Sequence, residues 1–93
     1  MKKPSWTAYT IYSKSNCAYC DKVKLLLKDE VVNVIECDEY LAEDRTRFLQ
    51  TMHHYSGVKC KTFPMVFLKG IYIGGFAETK KYYNSLIYTN LDF

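Results

Sequence analysis

Two cysteines three positions apart, in Ser13-Lys14-Ser15-Asn16-Cys17-Ala18-Tyr19-Cys20, stand where a β-like run gives way to a helical pattern. That junction constrains the chain more than any other stretch. Residues i and i+3 at a helix start lie close enough for disulfide exchange. The first sulfur would sit at the positive end of the helix, where a thiolate is stabilised. Cys17 therefore reads as a nucleophile, with Lys14 a nearby cation, and Cys20, one turn inside the helix, as a less exposed resolving thiol. Zinc or cluster ligation, or plain burial of two small residues, stand beside this reading, because metal sites share the C-x-x-C spacing.

The rest of the chain places this pair in an α/β order. Trp6 to Tyr12 is aromatic and β-branched and reads as a strand. From Cys17 to about Asp29, Val23, Leu26 and Leu27 follow helical spacing, with Asp21 in the first turn. Val31 to Cys37 is an uninterrupted β-branched run, as expected for a strand buried on both faces. Phe48, Leu49, Met52 and Tyr55 form the stripe of a second helix, which Gly57 should end. Pro64 opens Met65-Val66-Phe67-Leu68, and Lys69-Gly70 is a turn signal before Ile71-Tyr72-Ile73. After Gly74-Gly75, the positions Tyr83, Leu86 and Ile87 suggest a terminal helix. A β-α-β unit followed by a hairpin and a helix implies a four-stranded mixed sheet flanked by three helices.

Composition excludes more than it selects. The 93 residues suit one domain, 1–93, able to bury a modest core without crosslinks. The formal charge of +3 is mild and the lysines are spread from Lys2 to Lys81, so nucleic-acid binding is poorly supported. No stretch approaches a membrane span; the longest uncharged apolar run is about six positions, Phe63 to Leu68. Ser5, Thr7, Thr10 and Ser13 break up the stretch after the basic Met1-Lys2-Lys3, so a secretory signal is not expected. The default compartment is then the cytoplasm, where thiols are mostly kept reduced and cysteines serve as redox groups or metal ligands.

Three motifs in order carry a family resemblance. Cys17-Ala18-Tyr19-Cys20, Thr62-Phe63-Pro64 before the hairpin and Gly74-Gly75-Phe76 after it resemble the glutaredoxin family, a branch of the thioredoxin fold. The resemblance spans roughly residues 6–88 and implies the compact form of the fold. Thioredoxins usually carry Trp-Cys-Gly-Pro-Cys, whereas Asn16 and Tyr19 occupy the Trp and Pro positions here. The implied activity is glutathione-dependent reduction of protein disulfides and glutathione mixed disulfides, with Cys17 and Cys20 catalytic. Glutathione is the implied co-substrate. The partners are disulfide-containing or glutathionylated proteins, a ribonucleotide reductase being one candidate, and the chain is expected to act as a monomer.

The resemblance also assigns a glutathione site. The backbone of Phe63, beside a cis Pro64, would pair with the cysteinyl part like an added strand. Thr62 and Lys14 would contact the peptide, Lys14 through the glycine carboxylate, and Tyr19 would line the groove. Gly74-Gly75 permits close approach, and the N–H groups of Phe76 and Ala77 would take the γ-glutamyl carboxylate. Glu78 would meet the ammonium group or simply stabilise the helix N-terminus. The family often has Asp where Ala77 or Glu78 stands, and Pro where Ala18 stands. Some members without that Pro hold a [2Fe–2S] cluster between two chains through the first cysteine and glutathione, which is the alternative function; otherwise no metal is expected.

Cys37 reads as a small buried thiol, and Cys60 as a spectator near the site, with glutathionylation or pairing with a partner as its alternative. The adjacent His53 and His54 point to different sides of a helix and do not make a metal site with Cys60. No long hydrophobic patch is evident from the sequence.

Overall fold

The computed structural model describes the backbone of residues 1–91 and the side chains of residues 1–86. Along the chain run β1 (Tyr9–Ser13), α1 (Ala18–Leu26), β2 (Val32–Glu36), α2 (Asp38–Ser56), β3 (Met65–Leu68), β4 (Ile71–Gly74) and α3 (Phe76–Leu91). The strands form one sheet in the order β2-β1-β3-β4. β1 pairs parallel with β2, Ile11 opposite Val34, and antiparallel with β3, Ile11 opposite Val66. β3 and β4 form the expected hairpin. Its turn residues Lys69 and Gly70 both have positive φ, 51° and 82°, the backbone of a turn that matches strand twist.

Side chains alternate across the sheet. Tyr12, Met65 and Phe67 point to one face and pack with Phe48 and Met52 of α2. Tyr9, Ile11 and Val66 point to the other and pack with Val23 and Leu27, while Phe76 and Tyr83 of α3 close over them. The mixed sheet between helices is thus the expected thioredoxin-like architecture. Ile87 falls within α3, but its side chain lies outside the described ones.

Three expectations are corrected. The first strand begins at Tyr9, not Trp6: Ser5 Oγ accepts the Thr7 N–H in a turn, and Trp6 is 81% exposed. β2 is not buried on both faces, since it is an edge strand paired only to β1, and Val31 and Val34 are exposed. Its run of valines reflects β propensity rather than central burial. α1 stops at Leu26, short of Asp29. α2 begins at Asp38, ten residues before the apolar stripe, and breaks at Asp44, whose backbone is extended (φ −159°, ψ 91°). Asp44 Oδ1 accepts the Arg47 N–H at 3.0 Å and so caps the second half, which Gly57 ends at φ 79° as anticipated. A hydrophobic hollow that the sequence did not announce lies between β4 and α3, with Leu68, Ile71 and Tyr82 on its walls.

Candidate active site

β1 delivers the chain to the end of the sheet, and the loop after it sets the reactive pair. Asn16 takes a left-handed φ of 53°, a conformation Asn tolerates better than most residues. Ser15 donates to Asp38 from its N–H at 3.1 Å and its hydroxyl at 2.7 Å, tying this loop to the start of α2. Those hydrogen bonds, with Lys14 nearby, hold the Asp38 carboxyl below its ordinary range. Cys17 then caps α1: its backbone is extended and its Sγ accepts the Cys20 N–H at 3.2 Å. A disulfide joins Cys17 to Cys20, whose Cα atoms are 5.2 Å apart. Cys17 is partly exposed and Cys20 fully buried, the asymmetry expected of an attacking and a resolving thiol.

Beside this pair lies a groove of about 620 Å³. The residues expected to hold glutathione all line it: Lys14, Tyr19, Thr62, Phe63, Pro64, Gly75, Phe76, Ala77 and Glu78. The Phe63–Pro64 bond is cis, and the Phe63 carbonyl oxygen lies 3.8 Å from Cys17 Sγ. The Phe63 ring packs on Phe48, centroids 5.8 Å apart, while its carbonyl oxygen lies beside Cys17. Tyr19 stacks on Phe76 at 5.9 Å across the mouth, with Lys22 Nζ 5.1 Å from the Tyr19 centroid.

Two groove residues escaped the sequence reading. Arg45 and Lys61 join Lys14, so that three cations and one acid, Glu78, line it. Lys61 could have been found from its place directly before Thr62. Arg45 follows the break at Asp44, which no helical stripe reveals.

Glu78 lines the groove with its carboxylate folded back onto the start of α3. Its Oε1 accepts the Gly75 N–H at 2.8 Å, while Thr79 Oγ1 donates to the Gly75 carbonyl at 2.7 Å. This is the helix-stabilising alternative, half of a capping box. Gly74, at φ 139°, has no room for a side chain: a Cβ there would lie 2.8 Å from Glu78 Cβ, Cγ and Oε1. The glycine that sequence reasoning reserved for substrate is therefore also required by Glu78.

Cys37 is the buried thiol expected. It is fully enclosed, donates to the Ile35 carbonyl at 3.3 Å, and burial pushes its thiol up to about 12. Cys60 is half-buried, with Sγ 3.6 Å from Ser56 Oγ and 3.7 Å from Met65 Sδ. With Cys17 and Cys20 oxidised, an alkylating reagent at pH 8 should modify Cys60 in the native protein, and Cys37 only once urea unfolds it. Two equivalents taken up at one rate by the native fold would contradict the enclosure of Cys37. His53 and His54 are exposed in the last turn of α2. Among the described residues no three or more His, Cys, Asp and Glu gather as metal ligands, and no helix is long and apolar enough to cross a membrane.

Comparison with known proteins agrees with this geometry. The rat protein "Glutaredoxin-2, mitochondrial" is 37% identical over 73 residues, 76% of this chain and 44% of that one. The chain thus spans less than half the length of this relative, whose mitochondrial name gives the cytoplasmic expectation no backing. Glutaredoxin 1 from Francisella tularensis, crystallised with cacodylate, superposes with a TM-score of 0.73 at 24% identity, covering 85% of this chain and 94% of that one. A buckwheat glutaredoxin–glutathione complex gives 0.65 at 24% identity, covering 84% and 69%. Both share the thioredoxin-like fold. The family model named Glutaredoxin matches residues 9–73, from the first residue of β1 to the last but one of β4. That span takes in both linked cysteines and the cis proline, and the chain belongs to the glutaredoxin family.

Proposed function

We propose that this chain is a glutathione-dependent thiol–disulfide oxidoreductase that reduces glutathione mixed disulfides and protein disulfides through Cys17. The observation that carries the reading is the Cys17–Cys20 disulfide, with the partly exposed Cys17 at the head of α1 and 3.8 Å from the carbonyl of Phe63, a residue of the cationic groove. When the pair is reduced, the Cys20 N–H and the end of α1 favour the Cys17 thiolate. That thiolate attacks the glutathione sulfur of a mixed disulfide; a Cys17–glutathione bond forms and the client leaves as a thiolate that takes up a proton. A second glutathione thiolate, or Cys20, then displaces the bound glutathione. In the Cys20 route the product is the Cys17–Cys20 disulfide, and two glutathione molecules return it to the dithiol with release of glutathione disulfide.

The groove supports the choice of glutathione. The Phe63 main chain borders Cys17 and can pair with an extended peptide, and Lys14, Arg45 and Lys61 offer donors to its glycine carboxylate. Glutathionylated and disulfide-bonded proteins are the clients this chemistry fits. The cluster alternative is not carried further, since no specific observation favours it over the linked thiols.

Neutralising Lys14, Arg45 or Lys61 singly to Ala should raise the KM for glutathione about five-fold, the scale of one charge-assisted contact near 1 kcal/mol. Turnover of a disulfide made without glutathione should change little. Steady-state kinetics on the three variants checks this, and an unchanged KM in all of them would remove glutathione from the groove.

A further inference from the structure

Ser13 ends β1 and is fully buried, yet its hydroxyl has no hydrogen-bond partner. Among the described residues it is the one buried polar side chain left in that state. Burying a hydroxyl without a partner is unfavourable, and folded proteins rarely do it without a reason.

The place of Ser13 in the sheet shows what it faces. Side chains alternate along a strand, so Ser13 shares the face of Tyr9 and Ile11. Those two pack with Val23 and Leu27. Cys20, Val23 and Leu27 stand at helical spacing and are all fully buried, so they form the stripe that α1 turns to the sheet. Lys14, Ser15 and Asn16 alone separate β1 from Cys17 at the head of α1, so the helix starts at the Ser13 end of the strand. The chain then returns to the other end, where the Tyr9 N–H meets the Val31 carbonyl at 3.2 Å. The stripe therefore begins with Cys20, over the end of β1 that carries the Ser13 hydroxyl.

We propose that Ser13 is the hydrogen-bond donor to the Cys20 thiolate, unpartnered while the disulfide stands and engaged once it opens. A disulfide sulfur is a poor acceptor, whereas an ionised sulfur is a strong one. When a thiolate attacks Cys17 Sγ, a new S–S bond forms there and the Cys17–Cys20 bond breaks. The electron pair of the broken bond goes to Cys20 Sγ, where burial opposes the charge. The Ser13 O–H donates to that sulfur and keeps its proton; Cys20 takes up a proton from solvent afterwards. The hydroxyl thereby favours the dithiol form and biases the redox equilibrium of the pair. The inference rests on Cys17 and Cys20 being the working couple, and not on glutathione occupying the groove.

Ser13→Ala removes one oxygen from the buried site. The equilibrium of the Cys17–Cys20 pair against the dithiothreitol couple at neutral pH should shift about five-fold toward the disulfide, the scale of one hydrogen bond. The urea midpoint should hold or rise in oxidised Ser13→Ala, which loses an unpartnered group, and fall in the reduced variant. In a Cys20→Ser background there is no second thiolate to serve. Alkylation of Cys17 by iodoacetamide, read from the mass of the peptide that carries it, should there be the same with and without Ser13→Ala.

A shift of less than about two-fold, or one toward the dithiol, overturns the proposal. So does an equal fall of both midpoints, which makes Ser13 purely structural. A change in Cys17 alkylation in the Cys20→Ser background also overturns it, because Cys17 is then the sulfur that the hydroxyl serves. None of these measurements contains glutathione, so a groove that does not bind it would show instead in the kinetics of the Lys14, Arg45 and Lys61 variants.

Discussion

Cys17→Ser is expected to abolish reduction of the adduct between glutathione and hydroxyethanethiol, lowering turnover by at least about 100-fold. Of the linked pair, Cys17 alone is partly exposed, and Cys20 is fully buried. A serine hydroxyl at the cap would accept the Cys20 N–H much as the sulfur does, so the helix start should survive. It would not ionise at neutral pH, and the nucleophile would be lost with the geometry kept. Cys20→Ser should behave differently. The Cys17–glutathione intermediate can be resolved by a second glutathione, so activity on this small substrate should persist. Reduction of a protein's internal disulfide should suffer more, because there the mixed disulfide with the client waits for a second thiol. Glutathione-coupled assays on the three proteins decide it. Activity retained in Cys17→Ser would sink the mechanism, and activity lost in Cys20→Ser would make the dithiol route obligatory.

The parts of this molecule legible in the sequence are those set by local chemistry. The stop at Gly57, the turn at Lys69-Gly70 and the stripe of Phe48 and Met52 each follow from one residue's backbone freedom or from helical spacing, and each stands in the structure. The valines of β2 misled because burial depends on which strand lies outside it, a property of the whole sheet. Trp6 misled for a related reason: an aromatic residue suits a strand, yet here the chain turns before β1 begins, and Trp6 lies over the hairpin turn 3.1 Å from where a Gly70 Cβ would be. Phe63, Pro64 and Gly75 of the groove, and Cys17 beside it, stand in motifs that carry the family resemblance. Arg45 was hidden because it directly follows the break at Asp44, outside the apolar stripe that marks α2 in the sequence. The posture of Glu78 was within reach: Gly75 and Glu78 stand at the cap and third helical positions, the spacing of a capping box. Of the two roles the sequence offers Glu78, the hydrogen bond to the Gly75 N–H is the helix-stabilising one.

Phe67→Ala should be the most destabilising single truncation argued from this core, at about 3–5 kcal/mol. Phe67 is fully buried at the centre of β3, between β1 and β4. Tyr12 meets it edge-on with centroids 5.5 Å apart, and Tyr72 lies 5.2 Å away. Met65, Met52 and Phe48 complete the cluster under α2. Tyr12 cannot swing into the space left behind without giving up the 2.7 Å hydrogen bond from its hydroxyl to the Lys2 carbonyl. The void would therefore stay largely open, and void volume is what makes such truncations costly. Domains of this size have roughly 5–15 kcal/mol in total, so the variant should sit near the edge of folding. Its midpoint should fall by on the order of 20 °C, at about 4–8 °C for each kcal/mol. Ile71→Ala is the matched control: Ile71 is 71% exposed on β4, and its truncation should change stability by less than about 0.5 kcal/mol. Urea unfolding of both variants gives the comparison. The cluster also carries the groove, because Phe63 stacks on Phe48 and holds the main chain beside Cys17. Residual folded Phe67→Ala should therefore show a raised KM for glutathione as well as a lowered midpoint. A loss of stability below about 1 kcal/mol would mean that β3 does not anchor the α2 face of the sheet, and that the groove draws its rigidity from elsewhere.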